Sequence, residues 1–253
     1  MSDTFFVEKN SIVRKIWGKA DTILFIFAGA AAEFALNKAV DWLYFTGKLP
    51  ADPIGRLFST VTYARQIVFA KQEDAIKAID KITAIHSAVE AKRKATIPDW
   101  AYRDVLYMLI HFSISSFEVL ERKLSPEEKE EVYNVFYRMG DRMGLEKLPL
   151  HYEEWIYDRE YHLQNDLAYS TYTKDLFKQY KKALGAPRYI ILIEAMLLVI
   201  PDKVRELMHW KKSRMKPMLA TYKFTRFIKL DWFLKLLLLP SDYKQQIKDL
   251  DVH

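Results

Sequence analysis

The 253-residue chain contains no cysteine. That excludes a disulfide scaffold, a thiolate zinc site, an iron–sulfur cluster, a catalytic thiol and covalently attached c-type haem. Glycine is almost as scarce. Its seven residues never stand two apart, so no G-x-G-x-x-G dinucleotide fingerprint exists, and neither Gly18-Lys19 nor Gly47-Lys48 completes a phosphate-binding loop. H-E-x-x-H and G-x-S-x-G are also absent. Long apolar runs are missing too. Residues 22–32 form an uncharged stretch of eleven that ends at Glu33, whereas a membrane span needs roughly 20 residues. Acids at Asp3, Glu8 and Asp21 precede that stretch, which is not the pattern of a secretory leader. These absences lead us to expect a cytoplasmic protein.

Bulky rings are plentiful: 15 Phe, 15 Tyr and 6 Trp, enough to build a core and to exclude a disordered chain. The net charge of +6 is uneven, because residues 202–248 carry 12 Lys/Arg against 4 Asp/Glu. A basic segment of this kind is a solvated face, an anionic-membrane contact or a nucleic-acid contact. Nothing in it matches a standard nucleic-acid reader, so no specific nucleic acid is expected. The neighbouring run Trp232-Phe233-Leu234-Lys235-Leu236-Leu237-Leu238-Leu239 would suit weak, peripheral membrane-surface contact.

Helix-length apolar patterns alternate with Gly/Pro breaks near 47–53, 95–99, 123–126, 140–149, 185–187, 201, 217 and 240. In Ser125-Pro126-Glu127-Glu128, Ser125 can cap, Pro126 suits the first helical position, and Glu128 completes a capping box. Asp52-Pro53 opens another helix in the same way. Sustained strand alternation is lacking. The chain therefore reads as all-α, a single helical-bundle-like domain of about ten helices over residues 1–253.

Two predicted helices carry candidate ligands. Over residues 72–94 the stripe Ala75, Ile79, Ile82, His86, Val89 advances by four, three, four and three, placing His86 on the apolar face. Over 100–122, His111 shares a face with Tyr107, Met108 and Ile114. A buried neutral imidazole either ligates a metal or haem iron, or is a core histidine bonded to a backbone carbonyl. Arg56 and Thr60, at i and i+4, could together hold a carboxylate such as a haem propionate, or could simply be a surface Arg and an interior Thr. A second constellation, His151, Glu154, Asp158 and His162, is spaced three, four and four apart. Glu206 and His209 form a lone Glu-x-x-His. A polar helix face accounts better for both sets.

The order of these features adds more. Asp52-Pro53-Ile54-Gly55-Arg56-Leu57-Phe58-Ser59-Thr60 is followed by Ile85-His86-Ser87-Ala88-Val89. Next come Ile97-Pro98-Asp99-Trp100-Ala101-Tyr102-Arg103-Asp104, the helix with His111, and Leu124-Ser125-Pro126-Glu127-Glu128. This series, over residues 20–170, resembles the MpaB-type oxygenase family, which includes the catalytic domain of rubber oxygenases (latex-clearing proteins). The remaining helices, about 171–253, add little to it. The resemblance implies an all-α fold and a b-type haem whose iron is held by His86 in a His-x-x-Val stretch. It places Arg56 and Thr60 beside the haem, as cofactor-binding and catalytic residues; His111, by its helix face and not by the resemblance, is a further cofactor-binding candidate. The implied reaction is oxygenation of an apolar, alkene-type small molecule or polymer by dioxygen. A haem- or lipid-binding helical protein without turnover is the alternative. The chain departs from the family pattern at Glu90, where glycine often stands. It departs also at Ser59, where rubber oxygenases carry lysine, and at Asn37-Lys38, where a His-Pro step is common.

Overall fold

The computed structural model describes residues 4–213. The helices are α1 (Ile12–Trp17), α2 (Ala20–Phe34), α3 (Asp41–Phe45), α4 (Lys48–Ala51), α5 (Pro53–Phe69), α6 (Gln72–Arg93), α7 (Asp99–Leu120), α8 (Pro126–Arg142), α9 (Tyr152–Asn165), α10 (Thr171–Val199) and α11 (Asp202–Leu207). Among the described residues there is no β-strand, only the isolated bridges Phe5–Lys71 and Asn37–Leu167. The all-α expectation holds.

Helix ends lie where the local chemistry puts them. Ser125 Oγ accepts from the Glu128 amide while the Glu128 carboxylate accepts from the Ser125 amide, closing a capping box with Pro126 at the first position. Asp52 caps α5 by accepting from the Gly55 amide at 2.8 Å. α10 is two helices joined at a kink, where Gly185 takes φ +73° just before Pro187. A positive φ is cheap only for glycine, so the break belongs at that residue.

The uncharged run in α2 makes it the central helix, buried nearly all round and packed most extensively on α7 and α10. Buried polar ties fix its surroundings. The Trp17 indole donates to Ser113 Oγ at 3.1 Å, and Thr173 Oγ1 donates to the Ala35 carbonyl at 2.7 Å. At Gly29 the Phe112 ring of α7 packs directly onto the α2 backbone. An added Cβ would lie 2.2 Å from Cδ1 of the fully buried Phe112 ring. Gly29→Ala should therefore overpack this contact at the upper end of the usual ~1–3 kcal/mol. The gain in helix propensity, about 1 kcal/mol, offsets only part of that. Thermal unfolding should show a Tm lowered by several degrees; an unchanged or raised Tm would refute the close packing.

No helix of the described residues is long and apolar enough to cross a membrane. The run 232–239 and most of the basic segment lie outside the described residues.

Candidate functional site

The predicted stripe on α6 is buried in its first half and half-buried in its second. Ala75 and Ile79 are sealed, whereas Ile82, His86 and Val89 are not, and Ile85 beside them is exposed. The reason is the length of the neighbouring helix. α8 ends at Arg142, whose guanidinium forks onto Asp80 at 2.7 and 2.8 Å, so the later turns of α6 have no α8 beside them. His86 instead meets Tyr102 at the start of α7, with ring centroids 5.1 Å apart, and lies within electrostatic reach of Arg56 on α5. α3 closes this end of α6: Arg93 pairs with Asp41 at 2.5 Å and stacks over Trp42.

Three of the four sequence candidates come together here. The Arg56 guanidinium donates to Thr60 Oγ1 at 2.7 Å and to Ser59 Oγ at 3.1 Å. Among the described residues no carboxylate pairs with it, and burial pushes its pKa below the ordinary arginine value. Burial first, and the Arg56 charge second, hold the His86 imidazole below its usual pKa, against a smaller opposing effect of Glu90. His86 is therefore neutral at neutral pH, the form that binds iron. Its Nδ1 is buried with no hydrogen-bond partner.

The fourth candidate stands apart. His111 lies nine residues beyond Tyr102 on α7, about 14 Å along the axis. Its neighbours are Phe112, Arg159 and the Val199 carbonyl, with which it hydrogen-bonds. Burial and the Arg159 charge hold its pKa at about 3, so it stays neutral.

Sequence reasoning missed Glu90 as a structural element. Its Oε1 accepts from the Ile97 amide at 2.8 Å and from the Tyr102 hydroxyl at 3.2 Å, fastening the α6–α7 turn and setting the ring that faces His86. Its position four residues after His86, on the same face, was the available signal.

The polar-face reading of His151, Glu154, Asp158 and His162 needs correction. His151 is exposed and Glu154 caps the Leu150 amide, but His162 is only 3 % exposed, beside equally buried Asp104. Glu206 and His209 bring no further ligand together among the described residues; His209 is exposed at the end of α11. An open groove of about 1690 Å³ runs between the N-terminal residues, α8 and the start of α9, lined by Phe5, Glu130, Arg138 and Tyr152 among others. None of Arg56, Thr60, His86 or His111 lines it.

Residues 15–230 match the model of the family described as ER-bound oxygenase mpaB/B'/Rubber oxygenase, catalytic domain. The chain belongs to this family. The match runs well beyond residue 170, so α10, α11 and part of the basic segment are included in the MpaB/rubber oxygenase domain rather than appended to it. No curated protein and no solved structure matches the chain. Membership of the oxygenase family implies oxidoreductase activity on an organic substrate with dioxygen.

Proposed function

We propose that the chain is a b-type haem-dependent oxygenase acting on an apolar, alkene-type substrate, with His86 as the iron ligand. The observation that carries this reading is the contrast between the two histidines. His111 bonds a backbone carbonyl, the ordinary arrangement of a core histidine, whereas buried His86 Nδ1 bonds nothing. Beside it stands a guanidinium with no carboxylate partner among the described residues. A neutral imidazole and an unpaired cation on one half-buried face suit a dianionic iron porphyrin, so the residues fit the group. When bound, haem would supply dioxygen activation.

The chain's own residues have distinct tasks. His86 would hold the iron, and its depressed pKa keeps the ring available as a ligand when the solution is mildly acidic. Arg56 would bind a propionate or another anionic oxygen, prealigned by Thr60 and Ser59. Glu90 keeps Tyr102 against the His86 ring and so limits how far that ring can turn.

The test is titration of haem into the haem-free chain, followed by oxygen consumption with an apolar alkene. A saturable Soret band with alkene-dependent oxygen uptake is expected. A band without uptake would reduce the protein to a haem binder, and no band would end the proposal. Arg56→Ala should fold yet bind haem more weakly by about 1.5–3 kcal/mol, roughly tenfold to a hundredfold. Unchanged affinity would remove Arg56 from the site.

A further inference from the structure

A second buried polar cluster, separate from His86, lies where α9 meets α7 and the end of α2. His162 Nδ1 is 3.1 Å from Asp104 Oδ1 and 2.5 Å from Asp166 Oδ2, and its Nε2 is 3.9 Å from Asp158 Oδ2. Two of these carboxylates have further partners. Asp104 Oδ2 accepts from the Asn37 amide group at 2.5 Å, and Asn37 is itself fixed by accepting from the Ala39 amide. Asp158 Oδ2 accepts from the Tyr107 hydroxyl at 2.6 Å.

We propose that Asp104 Oδ1, His162 Nδ1 and Asp166 Oδ2 bind one divalent first-row transition-metal ion. Two observations carry this, and neither is merely a gathering of acids. First, two carboxylate oxygens from different parts of the chain converge on a single ring nitrogen. One N–H can at best be shared between the two, whereas a cation gives each oxygen its own coordination position. The three atoms lie within 4.8 Å of one another. Ligands about 2.1 Å from a shared metal stand ~3.0–3.4 Å apart, which the His162–Asp104 spacing already meets. Asp166 is half a step too close, but it follows the last turn of α9 and is partly exposed, so it is the ligand free to adjust.

Second, the charges do not balance. Arg159 is taken by Glu33, leaving Asp104, Asp158 and Asp166 around one imidazole. Even a protonated His162 balances only one of the three, and although Asp158 and Asp166 reach solvent, Asp104 is buried, where an ionised carboxylate is costly. A divalent ion relieves this. Asn37 holds the Asp104 carboxylate by its far oxygen, the kind of outer contact that orients metal ligands. One nitrogen with two carboxylate oxygens suits Mn²⁺, Fe²⁺, Co²⁺ or Zn²⁺ rather than a soft ion.

Zn²⁺ is the probe of choice, because it cannot be confused with haem iron. The untagged full chain, stripped with chelator, is equilibrated with Zn²⁺, and metal content and Tm are measured. The wild type should retain one equivalent and unfold at a higher temperature than in chelator. Asp166→Asn should keep its far-UV circular dichroism and its haem uptake, but bind Zn²⁺ at least about tenfold more weakly. His162→Gln should behave likewise towards Zn²⁺. A wild type that retains no Zn²⁺ and shows no rise in Tm would make His162 an imidazolium clamped between carboxylates, and would overturn the site. Zn²⁺ retention unchanged in both variants would overturn it equally. Neither result bears on His86.

Discussion

His86→Ala is expected to abolish the Soret absorbance of the haem-loaded protein while leaving its helical content intact. Substitutions that only disturb the orientation of a ligand cost roughly 10–100-fold in metal affinity, so removing the ligand itself should cost at least about 100-fold. The fold should tolerate the change, because His86 is only half-buried and its Nδ1 makes no hydrogen bond that the alanine would lose. His111→Ala serves as the comparison. It removes a ring hydrogen-bonded to the Val199 carbonyl, so it should lower Tm yet leave the Soret band in place. If the two variants exchange these behaviours, the ligand is His111. The pH dependence gives a second reading of the same site. Burial and Arg56 depress the His86 pKa, so the ring remains deprotonated as pH falls through the ordinary histidine range near 6.5. Haem retention should therefore persist below that range and fail only in stronger acid. Release centred on the ordinary value would show that His86 is not shielded as described.

The helices were largely legible in the sequence because their ends are set locally. Ser125 with Glu128, Asp52 with Gly55, and Gly185 before Pro187 each act over three residues or fewer. The uncharged stretch 22–32 identified a buried helix because almost every face of it had to leave water. The pairing of Arg56 with Thr60 was equally visible, being one helical turn. How deeply α6 is buried was not, since that depends on where α8 stops, 49 residues further along the chain from Arg93 to Arg142. The His162 cluster was hidden for the same reason. Its members Asn37, Asp104 and His162 are joined only by tertiary packing. Spacing along α9 grouped His162 with exposed His151, because periodicity groups residues by face and says nothing of what covers each end of that face. A hint was present in Asp104, which shares a helical face with Tyr107 and His111 and so is a charge in an apolar stripe.

The largest stability effect should come from a pair that the sequence places 126 residues apart. Arg159 donates to Glu33 Oε2 with both side chains almost wholly buried, in the middle of the α2–α7–α9 packing. The pair is poorly satisfied: Glu33 Oε1, Arg159 Nε and Arg159 Nη1 are buried without partners. Burial dominates at Glu33, raising its pKa in spite of Arg159, and nearby Asp104 adds to the rise. Such a pair contributes little net stability over an apolar replacement, but losing one member strands the other. Arg159→Met should therefore destabilise the fold by about 3–5 kcal/mol, leaving a carboxylate in the core beside Asp104. Glu33→Leu combined with Arg159→Met should recover most of that loss, because both desolvation costs vanish together. Chemical denaturation of the two variants measures the difference. The double variant must be the more stable of the two. If it is as unstable as Arg159→Met alone, packing volume rather than the stranded charge sets the cost, and the electrostatic account of this core fails. Glu33 should also become easier to keep protonated once Arg159 is gone. The stability of Arg159→Met should then rise as pH falls towards the raised pKa of Glu33, because the folded state takes up a proton that the unfolded state releases.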